Sequence, residues 1–66
     1  MSQLSRVAKH LRRNTEYPGI SVAQLAARAR VPTDSVYRRV YDLRTEENKT
    51  IFTNVRDGKT FYRLAA

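Results

Sequence analysis

Arginine is the residue type that could do chemistry here. Ten arginines and three lysines stand against six carboxylates in 66 residues, a formal net charge of +7. The flat guanidinium fork grips a phosphate, or the edge of a guanine, with two parallel hydrogen bonds, which an ammonium cannot do. So dense a positive field draws polyanions, nucleic acid first and an anionic membrane surface second. The plain alternative is a solvated basic surface. Other chemistry is thin. No cysteine is present, which excludes a disulfide framework, a thiolate zinc site and a cysteine nucleophile. The single histidine, His10, builds no metal cluster and, lying off the apolar stripe of its segment, no Ser–His–Asp set. Gly19 and Gly58, the only glycines, are too far apart for a phosphate-cradling loop. The paired carboxylates Glu46-Glu47 sit in a polar stretch and read as a helix end. No enzyme, cofactor, metal or small-molecule ligand is expected.

The elements that position these arginines belong to one domain, residues 1–66. A chain of this size buries only about 60% of its unfolded surface, so a single core serves every element. No run of 18 apolar residues exists, so no membrane span is expected. Residues 1 to 14 lack the apolar centre of a signal peptide, and the cytoplasm is the expected compartment. Asn48-Lys49-Thr50 matches a glycosylation acceptor but, with no secretory route, is read as chance. The start and end have the look of a whole small protein.

Breaks fall at Tyr17-Pro18-Gly19, Val31-Pro32-Thr33, Glu46-Glu47-Asn48-Lys49 and Asp57-Gly58. Before the first, Leu4, Val7, Ala8 and Leu11 form an apolar stripe at helical spacing, predicting a helix over residues 2 to 14 with Ser2 as its N-cap. Arg12 and Arg13 suit its last turn; Arg6, Lys9 and His10 should face water. Ile20 has the context of a short strand. Ser21, three residues before Gln24, has capping-box spacing and opens a helix over 22 to 29, with Val22, Leu25, Ala26 and Ala29 on one face. A third helix runs over 33 to 44, opened by Pro32 or Thr33, with Asp34 in its first turn. Val36, Val40 and Leu43 point to the core. Its outer side carries Asp34, Arg38 and Tyr41, flanked by Ser35, Tyr37 and Asp42.

The last segment is a hairpin, residues 50–56 and 59–64, around Asp57-Gly58, a pair suited to a type I′ turn. Counting outward pairs Arg56 with Lys59, Val55 with Thr60, Thr53 with Tyr62 and Ile51 with Leu64. Ile51, Val55, Tyr62 and Leu64 then share a core face. Arg56, Lys59 and Arg63 fall on the other, with Phe52 and Phe61, whose contacts the pattern leaves open.

Three short helices and a hairpin, with the second and third helices joined by Arg30-Val31-Pro32-Thr33, resemble a winged helix-turn-helix domain. The likeness spans Leu4 to Leu64. It rests on Ile20-Ser21-Val22-Ala23-Gln24-Leu25-Ala26, on Val31-Pro32, on Val36-Tyr37-Arg38-Arg39-Val40-Tyr41-Asp42-Leu43-Arg44, and on the closing Phe61-Tyr62-Arg63-Leu64. Ala26 stands where the family places a small residue. Arg30 departs from the family, which often has glycine in the turn; it calls for a left-handed backbone or a longer turn. The resemblance implies an α+β fold of three helices plus a C-terminal β-hairpin wing. It also implies a function: double-stranded DNA binding, as a transcriptional regulator of bacterial or phage origin, with the third helix in the major groove and the wing on the adjacent backbone or minor groove.

On that reading Arg38 is the candidate for a two-pronged guanine contact. Ser35, Tyr37 and Arg39 are phosphate binders, and Tyr41 serves either role or touches a thymine methyl. Thr33 joins them at the helix start, and Arg56 and Lys59 neutralise backbone at the wing tip. Each has a structural alternative. Tyr37 and Tyr41 could cover the edge of the core, and Arg39 could pair with Glu46 or Asp42. Asp34 and Asp42 read as braces for neighbouring arginines rather than base readers. Arg12, Arg13, Arg28 and Arg30 could be a solvated surface.

Two other functions fit the same fold. Val31-Pro32 with Tyr41 is similar to winged helices that bind Z-form nucleic acid, but Tyr37 stands where those have asparagine, and the wing lacks their proline and tryptophan. A protein-interaction module, such as an inhibitor of a host enzyme, would be favoured if Phe52 and Phe61 formed one open apolar patch. With no helix after the wing, a monomer is favoured in isolation, though the first helix could pair copies.

Overall fold

The computed structural model describes residues 2–65. The first helix, α1 (Gln3–Arg12), is shorter at both ends than its stripe suggests. Ser2 caps it, its Oγ accepting the Ser5 N–H at 3.1 Å. The Asn14 side chain donates to the His10 carbonyl at 2.7 Å and closes the other end. Val7 and Leu11 are fully buried, with Leu4 and Ala8 packed beside them. Arg6, Lys9 and His10 do not stand out in water as expected; all three are half-buried. The reason lies next door: Arg6 Nε donates to the Ala29 carbonyl at 2.7 Å, so this flank of α1 lies against the end of the second helix.

That helix, α2 (Val22–Ala29), starts at Ser21, whose Oγ accepts the Gln24 N–H at 3.1 Å. It buries Val22, Leu25, Ala26 and Ala29. It stops at Arg30, which takes the left-handed conformation (φ 58°, ψ 48°). The Val31 N–H then returns to the Ala26 carbonyl at 3.0 Å, the six-to-one bond that usually accompanies a glycine here. The departure from glycine is therefore met by strain rather than by a longer turn, and only Arg30, Val31 and Pro32 separate the helices. Arg30→Gly is expected to stabilise the fold by about 0.5–1 kcal/mol, the left-handed penalty less the added freedom of the unfolded chain; a urea titration reads this directly.

The third helix, α3 (Thr33–Glu46), opens from Pro32, whose carbonyl accepts the Ser35 N–H at 2.9 Å, and buries Val36, Val40 and Leu43. It runs two residues past the expected end. Asn48, at φ 54°, then turns the chain, and the Lys49 N–H reaches back to the Leu43 carbonyl at 3.0 Å.

The hairpin comprises β2 (Ile51–Arg56) and β3 (Lys59–Leu64), in the register counted from the turn. Asp57 and Gly58 both have positive φ, 52° and 75°. A short strand preceding α2 (Ile20–Ser21), here β1, pairs with β3 through Ile20–Tyr62 and Ser21–Phe61, giving an antiparallel sheet in the order β1-β3-β2. Gly19, at φ 95°, sits against the β3 backbone and lets this third strand in.

One sheet face and three helices enclose a core of Val7, Leu11, Ile20, Leu25, Val36, Val40, Leu43, Ile51 and Tyr62. Each such side chain contributes about 1.5–3 kcal/mol of burial. Val55 does not join them. It has the predicted face but is 69% exposed, because toward the wing tip an open groove, not core, separates the hairpin from α2 and α3. The result is a small α+β domain of three helices and a three-stranded open sheet, 31 × 23 × 18 Å.

Candidate nucleic-acid interface

The anchored side of α3 fixes what its other side presents. Arg38 (side chain 71% exposed) and Tyr41 (62%) stand in solvent, as do Thr33 and Asp34. Ser35 is half-buried. Asp42 braces two arginines at once: Oδ1 lies 3.5 Å from Arg38 Nε, and Oδ2 lies 3.1 Å from Arg39 Nε. Arg39 thus pairs with Asp42, not Glu46. Its side chain is only 27% exposed, so it offers a ligand less than Arg38 does. These pairs at helical spacing are worth about 0.2–0.5 kcal/mol each; they matter for orientation more than for stability.

Beside α3 runs a groove of about 430 Å³, bounded by Ser21 to Gln24 at the start of α2, by Thr33 and Tyr37, and by Gly58 to Thr60 at the wing tip. Tyr37 belongs to both readings given to it. Its ring meets Tyr62 edge-on, with centroids 6.4 Å apart, yet 47% of it remains exposed along the groove. Burial raises the Tyr62 phenol above its usual pKa of 10, opposed by nearby Arg44, so Tyr62 remains neutral.

Arg44 was not singled out from the sequence and proves to be the strut of this surface. It donates to the Ile51 carbonyl and, at 2.8 Å, to Thr53 Oγ1. Its guanidinium also lies 5.7 Å from the Tyr62 ring centre. Helical spacing alone sets Arg44 on one stripe with Tyr37 and Tyr41, at i, i+4, i+7, but carries no sign that the hairpin reaches it.

The far face of the wing answers what the phenylalanines touch. The Arg63 guanidinium covers Phe52 at 4.4 Å, and its Nη1 donates to the Thr15 carbonyl at 3.5 Å. Phe61 is half-buried between Ser21 and Asn54 in the sheet. They do not form one open apolar patch. Arg56 lies over the Tyr17 ring at 5.6 Å, and Lys59 borders the groove. The structure thus brings Thr33, Tyr37 and Lys59 to one groove, sets Arg38 and Tyr41 on the adjoining helix face, and leaves Ser35, Arg39 and Arg56 at the margins.

Charge is unevenly spread. After Pro32 the chain has seven cations and five carboxylates; before it, six cations and one carboxylate, Glu16. Lys9, Arg13 and Arg28 surround His10. Burial, then these three charges in turn, lower the His10 pKa, while a hydrogen bond with the Arg28 backbone opposes the shift. On acidification the unfolded imidazole takes its proton first. Stability is therefore full above about pH 6.5 and falls as pH drops through the lower folded value. His10→Gln should flatten that part of a melting-temperature profile.

Among the described residues no helix is long and apolar enough to cross a membrane, and no group of three His, Asp or Glu is placed to hold a metal ion. The shape suits a small nucleic-acid- or protein-binding module. Comparisons with protein-family models, with characterised proteins and with solved structures give no match to this chain.

Proposed function

We propose that the chain is a winged helix-turn-helix module that binds double-stranded DNA, with α3 in the major groove and the β2–β3 wing on the neighbouring backbone. One observation carries this reading: α3 is held on its inner side by Val36, Val40 and Leu43 while Arg38, Tyr41 and Thr33 are offered outward next to a basic hairpin tip. At 14 residues α3 is about 21 Å long, and a B-form major groove about 12 Å wide admits one helix. Arg38 supplies the two-pronged donor for a guanine edge. Tyr37, Thr33 and Lys59, grouped at the groove, supply phosphate contacts, with Ser35, Arg39 and Arg56 at the rim. Asp42 holds Arg38 along the helix. Transcriptional control in a bacterium or its virus is the role that fits such a module.

The test is titration of duplex DNA at several salt concentrations. With about five phosphates neutralised, log K should fall against log salt with a slope near −4 to −5. Absent or salt-indifferent binding at low salt would remove the proposal.

A further inference from the structure

Among the described residues, a cluster of cations without carboxylate partners lies away from α3 and the wing. Lys9 on α1, Arg13 at its C-cap and Arg28 on α2 lie near His10, at the place where Arg6 fastens α1 to the Ala29 carbonyl. Lys9 and the C-cap residue Arg13 are four residues apart, about one helical turn or 6 Å. Among the described residues no carboxylate pairs with Lys9, Arg13 or Arg28; the ion pairs of Arg38 and Arg39 lie on α3. None of the three sits over an aromatic ring, whereas Arg44, Arg56 and Arg63 do. Burial, and after it these three charges, oppose protonation of His10.

This cluster sits at the end of α2. The groove beside α3 lies at its start, from Ser21 to Gln24, so the two are about one α2 length, roughly 12 Å, apart. We infer that the α1–α2 face is a second nucleic-acid surface, one that holds phosphates without reading bases and lets one molecule join two duplex segments. The inference rests on the duplex reading of α3 and adds a second contact to it.

The occupant follows from what the patch lacks. The large exposed apolar residues Tyr17, Tyr37, Tyr41, Phe52 and Val55 all lie outside it. A protein partner is held by aromatic and apolar anchors in pockets, and a membrane-surface helix buries an apolar face in lipid. The apolar stripe of α1 is already in the core. A patch of arginine and lysine with no such anchor suits a regular row of phosphates, where affinity comes from counterion release.

The experiment is two-duplex capture. One duplex with the preferred site is fixed to beads, the protein is added at low salt, and a second, labelled duplex of random sequence is offered. Wild-type protein should retain the label. The triple variant Lys9→Gln/Arg13→Gln/Arg28→Gln should lose capture by at least about tenfold while keeping its preference for the bead-bound site. Arg28→Gln and Lys9→Gln singly, each checked for an unchanged circular dichroism spectrum, should show part of the loss. Site binding without capture by wild type, or undiminished capture by the variants, would overturn the second surface and leave the α3 reading intact. Failure of wild type to bind any duplex, or equal loss of site binding and capture in the triple variant, would overturn both.

Discussion

Gly19→Ala is expected to cost about 3–5 kcal/mol and to leave little folded protein at 37 °C. Two effects add. Gly19 has φ 95°, where a side chain brings backbone strain of about 1–3 kcal/mol. An added Cβ would also fall on the Tyr62 carbonyl and against Arg63 Cβ. Backbone in a paired strand yields little, so overpacking adds a further 1–3 kcal/mol. A domain of this length has only about 3–10 kcal/mol of stability. Gly58→Ala is the control: φ is 75°, but nothing lies within 4 Å of the added carbon, so only strain of about 1 kcal/mol remains. Thermal melts should place Gly19→Ala about 12 °C or more below Gly58→Ala; melts within a few degrees of each other would refute the close approach of Gly19 to β3.

Arg38→Ala is expected to weaken binding to the preferred duplex by about 1–3 kcal/mol, roughly ten- to a hundredfold, while random duplex loses far less. The asymmetry follows from the proposed two-pronged base contact, since a phosphate contact counts equally on every sequence. The fold should be nearly untouched. Arg38 is largely exposed and its only ion pair, with Asp42, is a surface pair worth under about 1 kcal/mol. Selecting bound sequences from random duplexes, then measuring both affinities, checks this. Equal losses would make Arg38 a phosphate contact and move base reading elsewhere on α3.

Much of the scaffold was legible because local rules agreed with the global arrangement. The stripes of α1 and α3, the Ser21–Gln24 spacing and Asp57-Gly58 each point to the element that formed; at Arg30 the lack of glycine left a left-handed residue or a longer turn open, and the left-handed residue is what formed. What escaped was non-local. The pairing of Ile20 with Tyr62 joins residues far apart in sequence and depends on Gly19 fitting against a strand that local pattern does not place. Alternation gave Val55 the right face but not the distance to which the helices extend beneath the wing. Amphipathic counting sent Arg6, Lys9 and His10 to solvent, since it does not see the unpaired carbonyls that end a neighbouring helix. In the site, Asp42 as a brace was legible from helical spacing. Arg44 was not, because its partners lie on a strand whose approach to α3 only the tertiary fold determines.

The sheet order has one more consequence, for how copies of the molecule treat one another. Thr50 gives its carbonyl to Ala65, so by strand alternation the backbone groups of Ile51, Thr53 and Val55 point away from β3. Arg44 occupies the Ile51 carbonyl; among the described residues no strand lies beyond the rest of that rim. Such a margin is a template for strand addition by another chain, and mutual repulsion at +7 opposes its addition by identical chains. At 1 M salt repulsion reaches only about 3 Å. Concentrated salt, which strips a basic protein from polyanions, therefore also weakens the repulsion that opposes strand addition between copies of this one.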